Sequence, residues 1–396
     1  MTDARSGNDV SRVLLLVCDS WGVGDAPDAE TYGDAGADTL GNTARAVGGI
    51  RAPNLGRLGL GRTDAVEGVP PGGARGTAAG RLTERSAGKD TTTGHWELAG
   101  IVLAEAFPTY PDGFPPEVIE PFELAIGRQI LGNRPASGTE IIAELGEEHL
   151  GTGKPIVYTS GDSVFQIAAH ANVAPLAVLY EWSRAARRLL RGPHRVGRVI
   201  ARPFDGEPGS FVRTPGRRDF SVPPPGPTLL DACGNAGLPV YAVGKIQDIF
   251  AGVGVAEGRY SDDNDHGVDL TLSYLRRPGP SLVFTNLVDF DSKYGHRNDP
   301  SGYAGCVSAF DRRIPELVAA LDGGVMVVTG DHGCDPTTPS TNHSREHALL
   351  LAYVAGKNAS GRIHEGEFAD VGATVNLWLG GKAPGRGIPG EAILER

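Results

Sequence analysis

Four short apolar runs, each stopping against polar residues, constrain this chain more than any other feature. They are Val13–Cys18, Pro239–Val243, Leu282–Val288 and Val325–Thr329, and they run into Asp19, Lys245, Asp289 with Asp291, and Asp331 with His332. Near-continuous aliphatic runs of this length fit strands buried on both faces, which belong to parallel sheets. Parallel strands need crossover connections. Helix-like stretches lie between the runs, at Leu229–Ala236 and at Tyr303–Leu321, the latter apolar at helical spacing. Strands alternating with helices predict an α/β fold with a doubly wound sheet. Open α/β sheets bind ligands beyond the carboxyl ends of their strands. Carboxylates, imidazoles and a lysine delivered to one edge would therefore form one site.

The chain has 396 residues, more than one ordinary domain holds. Its middle reads differently from its ends. Phe107–Phe114 is rich in proline and aromatics, and Ser221–Pro227 contains three consecutive prolines, Pro223–Pro225. Both read as stiff linkers. Between them lie strand signals at Ile156–Tyr158 and Val196–Ala201 and a basic helix around Trp182–Arg191. The simplest account is an α/β domain over 107–225 inserted into a core formed by 1–106 and 226–396, with the linkers as hinges.

Composition removes several classes. The net charge is −11 and there is no basic run, so neither a nucleic acid nor an anionic membrane is an expected partner. The four cysteines, Cys18, Cys233, Cys306 and Cys334, show no CxxC spacing and read as reduced cytoplasmic thiols. No apolar stretch reaches the length of a membrane span. Val13–Cys18, with Arg5 and Arg12 upstream, looks like the apolar centre of a signal peptide. It is short, however, ends at Asp19 and has no small-residue cleavage site after it, so it reads as a buried strand.

The polar residues behind these runs form a constellation. Asp331-His332 is followed by His343, and Asp291 precedes His296, while Asp19 ends the first run. Alone, each is as easily a cap or a surface residue. Together they supply three carboxylates and three imidazoles from three of the four strand ends. Mixed oxygen and nitrogen ligands suit Mn²⁺ or Zn²⁺ better than Ca²⁺. Six ligands suit two ions, and paired ions about 4 Å apart are a common clamp for phosphoryl displacement. Cys334, two residues beyond His332, could be a soft ligand but reads better as a small packed side chain.

A second segment, Gly88-Lys89-Asp90-Thr91-Thr92-Thr93-Gly94-His95-Trp96, reads as a loop opening a helix near His95–Leu98. Metal coordination can activate a hydroxyl without a general base, and a helix N-terminus stabilises phosphate. An ordinary capping threonine fits equally well, and spacing does not choose among Thr91, Thr92 and Thr93. Gly22-Val23-Gly24 follows a strand, but Pro27 stands at the third glycine position of a dinucleotide loop, so that fingerprint fails. No GxxxxGK[ST], HExxH or GxSxG is present.

These segments resemble the bacterial phosphopentomutase family of the alkaline phosphatase superfamily. The likeness runs nearly end to end. It is carried by Asp19-Ser20-Trp21-Gly22-Val23-Gly24 with Ala26-Pro27-Asp28-Ala29, the Gly88–Glu97 segment, Tyr158–His170, Ala201-Arg202-Pro203-Phe204, Gly206-Glu207-Pro208-Gly209, Val288–His296 and Asp331–Glu346. The resemblance implies an alkaline-phosphatase-like core with an inserted cap, and interconversion of ribose or 2-deoxyribose 1-phosphate and 5-phosphate. It implies two Mn²⁺ ions, one held by Asp19, Asp331 and His332, the other by Asp291, His296 and His343. It selects Thr91 as the phosphorylated residue bridging them. It places Asp162 against the sugar, and Lys245, Arg202 and Arg213 near the substrate phosphate and sugar. A sugar bisphosphate activator is a further implied partner. Gly161, Ala171, Asn172, Asn298, Cys334 and Asn342 depart from the family's usual residues. Gly161 adjoins Asp162, and Asn298 is two residues from His296, so the departures bear on which pentose is preferred.

The implied reaction is a two-step transfer. Phospho-Thr91 gives its phosphoryl group to a pentose monophosphate, the bisphosphate reorients, and the other phosphate returns to Thr91. The cap must exclude water for this to outrun hydrolysis. A phosphosugar phosphatase would share the ligands and Thr91 but release phosphate, and a mutase for an unusual pentose phosphate would share the chemistry. Metal-dependent phosphoglycerate mutases use serine in a longer chain. A non-catalytic sugar-phosphate binder would be expected to lack a ligand, and none is missing.

Overall fold

The computed structural model describes residues 12–63, 66–74, 76–355 and 362–379. Arg5 and the two ends of the chain, 1–11 and 380–396, lie outside them. The chain is α/β and divides into two compact units, Met1–Glu105 with Pro224–Arg396, and Ala106–Pro223.

The first unit is built on a nine-stranded sheet. Five neighbours run parallel, in the order Glu257–Arg259, Val240–Val243, Ser281–Leu287, Arg12–Cys18 and Val325–Thr329. Glu346–Val354 then pairs antiparallel, followed by Thr77–Thr83 and Arg362–Glu367, and Gly22–Asp25 adds to Glu346–Val354. The four apolar runs are thus adjacent parallel strands. Their register brings the ends together: Cys18 lies beside Leu287, Val17 beside Thr329, and Val243 beside Thr285. Pro239 falls outside its strand, since it has no N–H to give the ladder.

Strand residues alternate between faces. Leu14, Leu16 and Cys18 turn to one side and join Val283, Leu287, Met326 and Val328 in a buried cluster. The helices Asn264–Leu275 and Pro300–Ala320 contribute Val268, Leu272, Tyr303, Val307 and Phe310 to it. The longer of these helices starts before the expected Tyr303 because Asp299 caps it, accepting from Gly302 N at 2.8 Å, and Pro300 opens its first turn. On the other face, His95 of the helix Thr91–Leu98 stacks on Phe284 at 6.0 Å, and Trp96 Nε1 donates to Ile249 O at 3.0 Å.

The second unit has its own six-stranded sheet, in the order Leu131–Pro135, Ile156–Thr159, Val164–His170, Arg198–Asp205 and Val212–Arg213, with Arg218–Ser221 also paired to Arg198–Asp205. Helix Leu176–Leu189 covers it through Leu179, Trp182 and Ala186. The aromatics read as part of a linker are packed instead. Tyr110 and Phe114 are buried in this unit's core, their rings 4.5 Å apart, with Phe114 against Phe165 at 4.7 Å. Their apolar area outweighs the loop character of the surrounding prolines.

Candidate metal centre and nucleophile

The site begins where the first strand ends. Ser20 takes a positive φ of 73°, unusual for a residue with a side chain. The turn is held from both sides. Ser20 N donates to Asp331 Oδ1 at 3.1 Å, and Tyr303 OH donates to Ser20 O at 3.0 Å. This fixes Asp19 and Asp331 side by side. A π-helical turn, Phe290–Tyr294, and a 3-10 turn, Gly295–Arg297, follow the strand Ser281–Leu287. They carry Asp291 and His296 to the same edge.

His343 arrives by a different route. Gly333 and Ser344 exchange backbone hydrogen bonds at 3.0 and 2.8 Å in an antiparallel bridge. Their neighbours His332 and His343 then sit diagonally on one face, and the two rings stack at 3.7 Å. His296 stacks on His343 in turn, at 4.9 Å.

The ligand atoms converge. Asp291, His296 and His343 form one group, and Asp19, Asp291 and His332 another, with ligand atoms within 4.8 Å of one another in each. Asp291 borders both groups. Asp331 Oδ2 reaches His332 Nε2 at 3.3 Å, as does Asp19 Oδ1. Each imidazole shows its Nδ1 to a backbone carbonyl: His296 to Thr341 O at 2.6 Å, His332 to Gly333 O at 3.0 Å and His343 to Lys89 O at 3.0 Å. A carbonyl only accepts, so Nδ1 carries a proton in each ring, and when the ring is neutral Nε2 faces the carboxylates as a lone pair. Asp19 Oδ1, Asp291 Oδ1 and Asp331 Oδ2 are buried without a hydrogen-bond donor among the described residues. Lone pairs gathered this way, out of water, fit divalent cations.

The titrations follow from the same crowding. Burial opposes ionisation of Asp19, but Lys245 and His332 outweigh it and hold the carboxyl well below its ordinary range. Burial likewise opposes charge on His332, yet Asp331 and then Asp19 push it up to about 10. With no cation, a proton on His332 Nε2 offsets part of the cluster's negative charge; a divalent ion would take its place with two charges.

Thr91 opens the helix Thr91–Leu98. Asp90 takes the capping role, accepting from Thr92 N and Thr93 N at 3.0 and 3.2 Å and from Thr93 Oγ1. Thr91 Oγ1 is thereby left for the site and lies 3.1 Å from His332 Nε2. The helix can approach this closely because residue 94 is glycine: a Cβ there would come within 2.0 Å of Asp331 O.

Lys245 sits beside the cluster, its Nζ 3.2 Å from Asp19 Oδ2. The remaining expected residues belong to the second unit. Asp162 is paired with Arg198 at 3.5 Å. Arg202 Nε donates to Gln166 Oε1 at 3.0 Å, and burial, then Arg217, lower its pKa to about 10. Arg213 ends the short strand Val212–Arg213.

Sequence reasoning missed three contributors. Asn286 Nδ2 donates to Asp19 Oδ2 at 3.3 Å; the signal was an amide inside an apolar strand. His95 Nδ1 lies 2.8 Å from Thr91 O and 3.1 Å from Asp331 Oδ2. Glu346 accepts from Thr39 N, Thr39 Oγ1 and Ser344 Oγ at 2.8, 2.7 and 2.6 Å, and Gly333 leaves room for its carboxylate.

Residues 11–382 match the family described as the Metalloenzyme superfamily. The phosphopentomutase of Anaeromyxobacter dehalogenans strain 2CP-C is 55% identical over 371 residues, covering 93% of this chain and 95% of the relative. That of Kosmotoga olearia is 54% identical over 369 residues, covering 92% and 94%. That of Acetivibrio thermocellus is 54% identical over 389 residues, covering 97% and 99%.

Proposed function

The chain belongs to the phosphopentomutase family, and from that premise we propose that it interconverts ribose or 2-deoxyribose 1-phosphate and 5-phosphate with Thr91 as the phosphoryl carrier. It is an isomerase-class phosphotransferase. The observation that carries the reading is Thr91 Oγ1 at 3.1 Å from His332 Nε2, above buried carboxylate oxygens that lack donors. Asp19, Asp331 and His332 would hold one ion and Asp291, His296 and His343 a second, with Mn²⁺ as the proposed metal. When bound, these ions supply positive charge for the phosphoryl group and the oxygens it moves between.

The chain's own residues carry out the steps. The free hydroxyl of the pentose monophosphate attacks the phosphorus of phospho-Thr91. The P–Oγ1 bond breaks, a sugar bisphosphate forms, and the Thr91 oxygen takes up the proton that the hydroxyl gives up. After the bisphosphate reorients, Thr91 Oγ1 attacks the phosphorus of its other phosphate, the bond from that phosphorus to the sugar oxygen breaks, the sugar oxygen takes up the proton that Thr91 gives up, and the isomeric monophosphate leaves with phospho-Thr91 restored. Lys245 neutralises Asp19 and contributes charge toward the phosphate. The first unit serves as the catalytic core and the second as the cap, with Asp162, Arg202 and Arg213 as sugar and phosphate contacts. A sugar bisphosphate primes an unphosphorylated chain. Among the described residues no helix is long and apolar enough to cross a membrane. The four cysteines are free, in keeping with a proposed cytoplasmic location.

Turnover with Mn²⁺ across a panel of pentose phosphates tests this reading. Isomerised sugar in large excess over free phosphate is expected. Stoichiometric phosphate release would make the chain a phosphatase on the same scaffold, and isomerisation confined to a modified pentose would make it a specialised mutase. Thr91→Ala should abolish isomerisation while leaving metal content and fold intact.

A further inference from the structure

Arg345 is only 2% exposed, and the reaction as described leaves it without a role. Its guanidinium donates five hydrogen bonds. Nε and Nη2 grip Asp28 Oδ1 and Oδ2, both at 3.0 Å. Nη1 reaches Glu84 Oε2 at 2.6 Å and Gly88 O at 2.7 Å, and Nη2 reaches Glu84 O at 2.7 Å. A guanidinium has five N–H donors, so these contacts exhaust it and none is left for a ligand. The ring of Tyr32 lies 5.0 Å from its centre.

Two of those acceptors, Glu84 O and Gly88 O, belong to the segment that leads into Thr91. Neighbouring bonds tie the same segment. Asp34 Oδ2 accepts from Arg345 N at 2.8 Å and from Lys89 Nζ at 2.6 Å. His343, two residues before Arg345, donates to Lys89 O at 3.0 Å. From the other side Glu97 accepts from Arg85 N at 2.9 Å and Ser86 N at 2.6 Å. The path to Thr91 is thus held to the strand that follows His343, with Arg345 as the central tie.

We propose that Arg345 is a positioning residue for phosphoryl transfer: its forked donors lock the Glu84–Asp90 segment to the stretch that carries His343, so that Thr91 Oγ1 is held at His332 before substrate arrives. This rests on the reading of Thr91 as carrier. A lysine keeps the charge opposite Glu84 and Asp28 but has no planar fork, so Arg345→Lys separates charge from geometry.

Two measurements on Arg345→Lys test the proposal. A misplacement of about 1 Å costs on the order of 100-fold in rate, so kcat should fall about 100-fold. KM for the pentose phosphate and the Kd for Mn²⁺ should stay within about threefold, the signature of lost positioning, not lost binding. In the metal-free protein, backbone amides over 86–91 should exchange with deuterium about tenfold faster or more, while those of Val325–Thr329 stay protected. A kcat within about threefold of wild type, unchanged exchange over 86–91, or a Mn²⁺ Kd rising in step with the loss of kcat would each overturn it. Should Arg345→Lys fail to fold, Asp28→Asn loosens the same fork from its half-exposed side and should show the same pattern at about a tenfold loss of kcat. If the wild type does not isomerise pentose phosphates, the functional reading fails, while the exchange experiment still decides whether Arg345 holds the loop.

Discussion

Glu346 shows how tightly single residues around the site are balanced. Burial pushes its carboxyl up to about 8, against the pull of the Ser344 and Thr39 hydrogen bonds. Its folded pKa thus lies above its unfolded one. The folded chain keeps a proton that the unfolded chain has released, so this residue's contribution to stability falls as pH rises from the ordinary carboxyl range toward 8. Glu346→Gln removes that titration and keeps a group able to bond both hydroxyls. The unfolding free energy of the metal-free protein, from denaturant titration, should therefore drop less between pH 5 and pH 8 in the variant, by an amount on the order of a few kcal/mol. Equal slopes for both proteins would contradict the assignment. Glu84 poses the complementary case. It is buried against Arg345 at 2.6 Å, and Arg345→Met would leave it buried and unpaired, a loss of about 3–5 kcal/mol readable from the same titration.

Among the elements, the helix Thr91–Leu98 is the most constrained by its neighbours. A methyl group at Gly94 would overlap Asp331 O, so Gly94→Ala should shift the helix away from Asp331 and His332. The expected cost is about 1–3 kcal/mol of stability, with a larger proportional loss of turnover than of Mn²⁺ binding. A variant as stable and active as wild type would refute that close approach. The four parallel strands were legible in the sequence because burial on both faces leaves continuous apolar runs, and their carboxyl ends announced Asp19, Asp291, Asp331 and His332. The route of His343 was not legible. Its placement depends on one antiparallel bridge, Gly333 to Ser344, which has no periodic signal. The capping role of Asp90 was hidden for a related reason: three adjacent threonines can all cap, and only the three-dimensional path shows that Asp90 already does. Phe107–Phe114 was misread because proline content speaks for a linker while its aromatics speak for a core, and packing decided between them.

For the whole molecule, charge is unevenly divided. Residues 106–223 hold thirteen acidic and thirteen basic side chains, so the surplus of −11 lies entirely in the rest of the chain. The first unit is therefore the one that gains from bound cations. Adding Mn²⁺ at about a hundred times its Kd should stabilise that unit by about 2.7 kcal/mol per site, seen as a rise in its unfolding temperature that a chelator reverses. A melting curve indifferent to Mn²⁺ and chelator would count against a metal centre. The most direct test of the central claim is peptide mass spectrometry of protein quenched during turnover of ribose 5-phosphate with Mn²⁺. Phosphate on Thr91, absent from the Thr91→Ala variant along with all isomerisation, is the predicted result. Full-rate isomerisation by a chain whose Thr91 is never phosphorylated would contradict it.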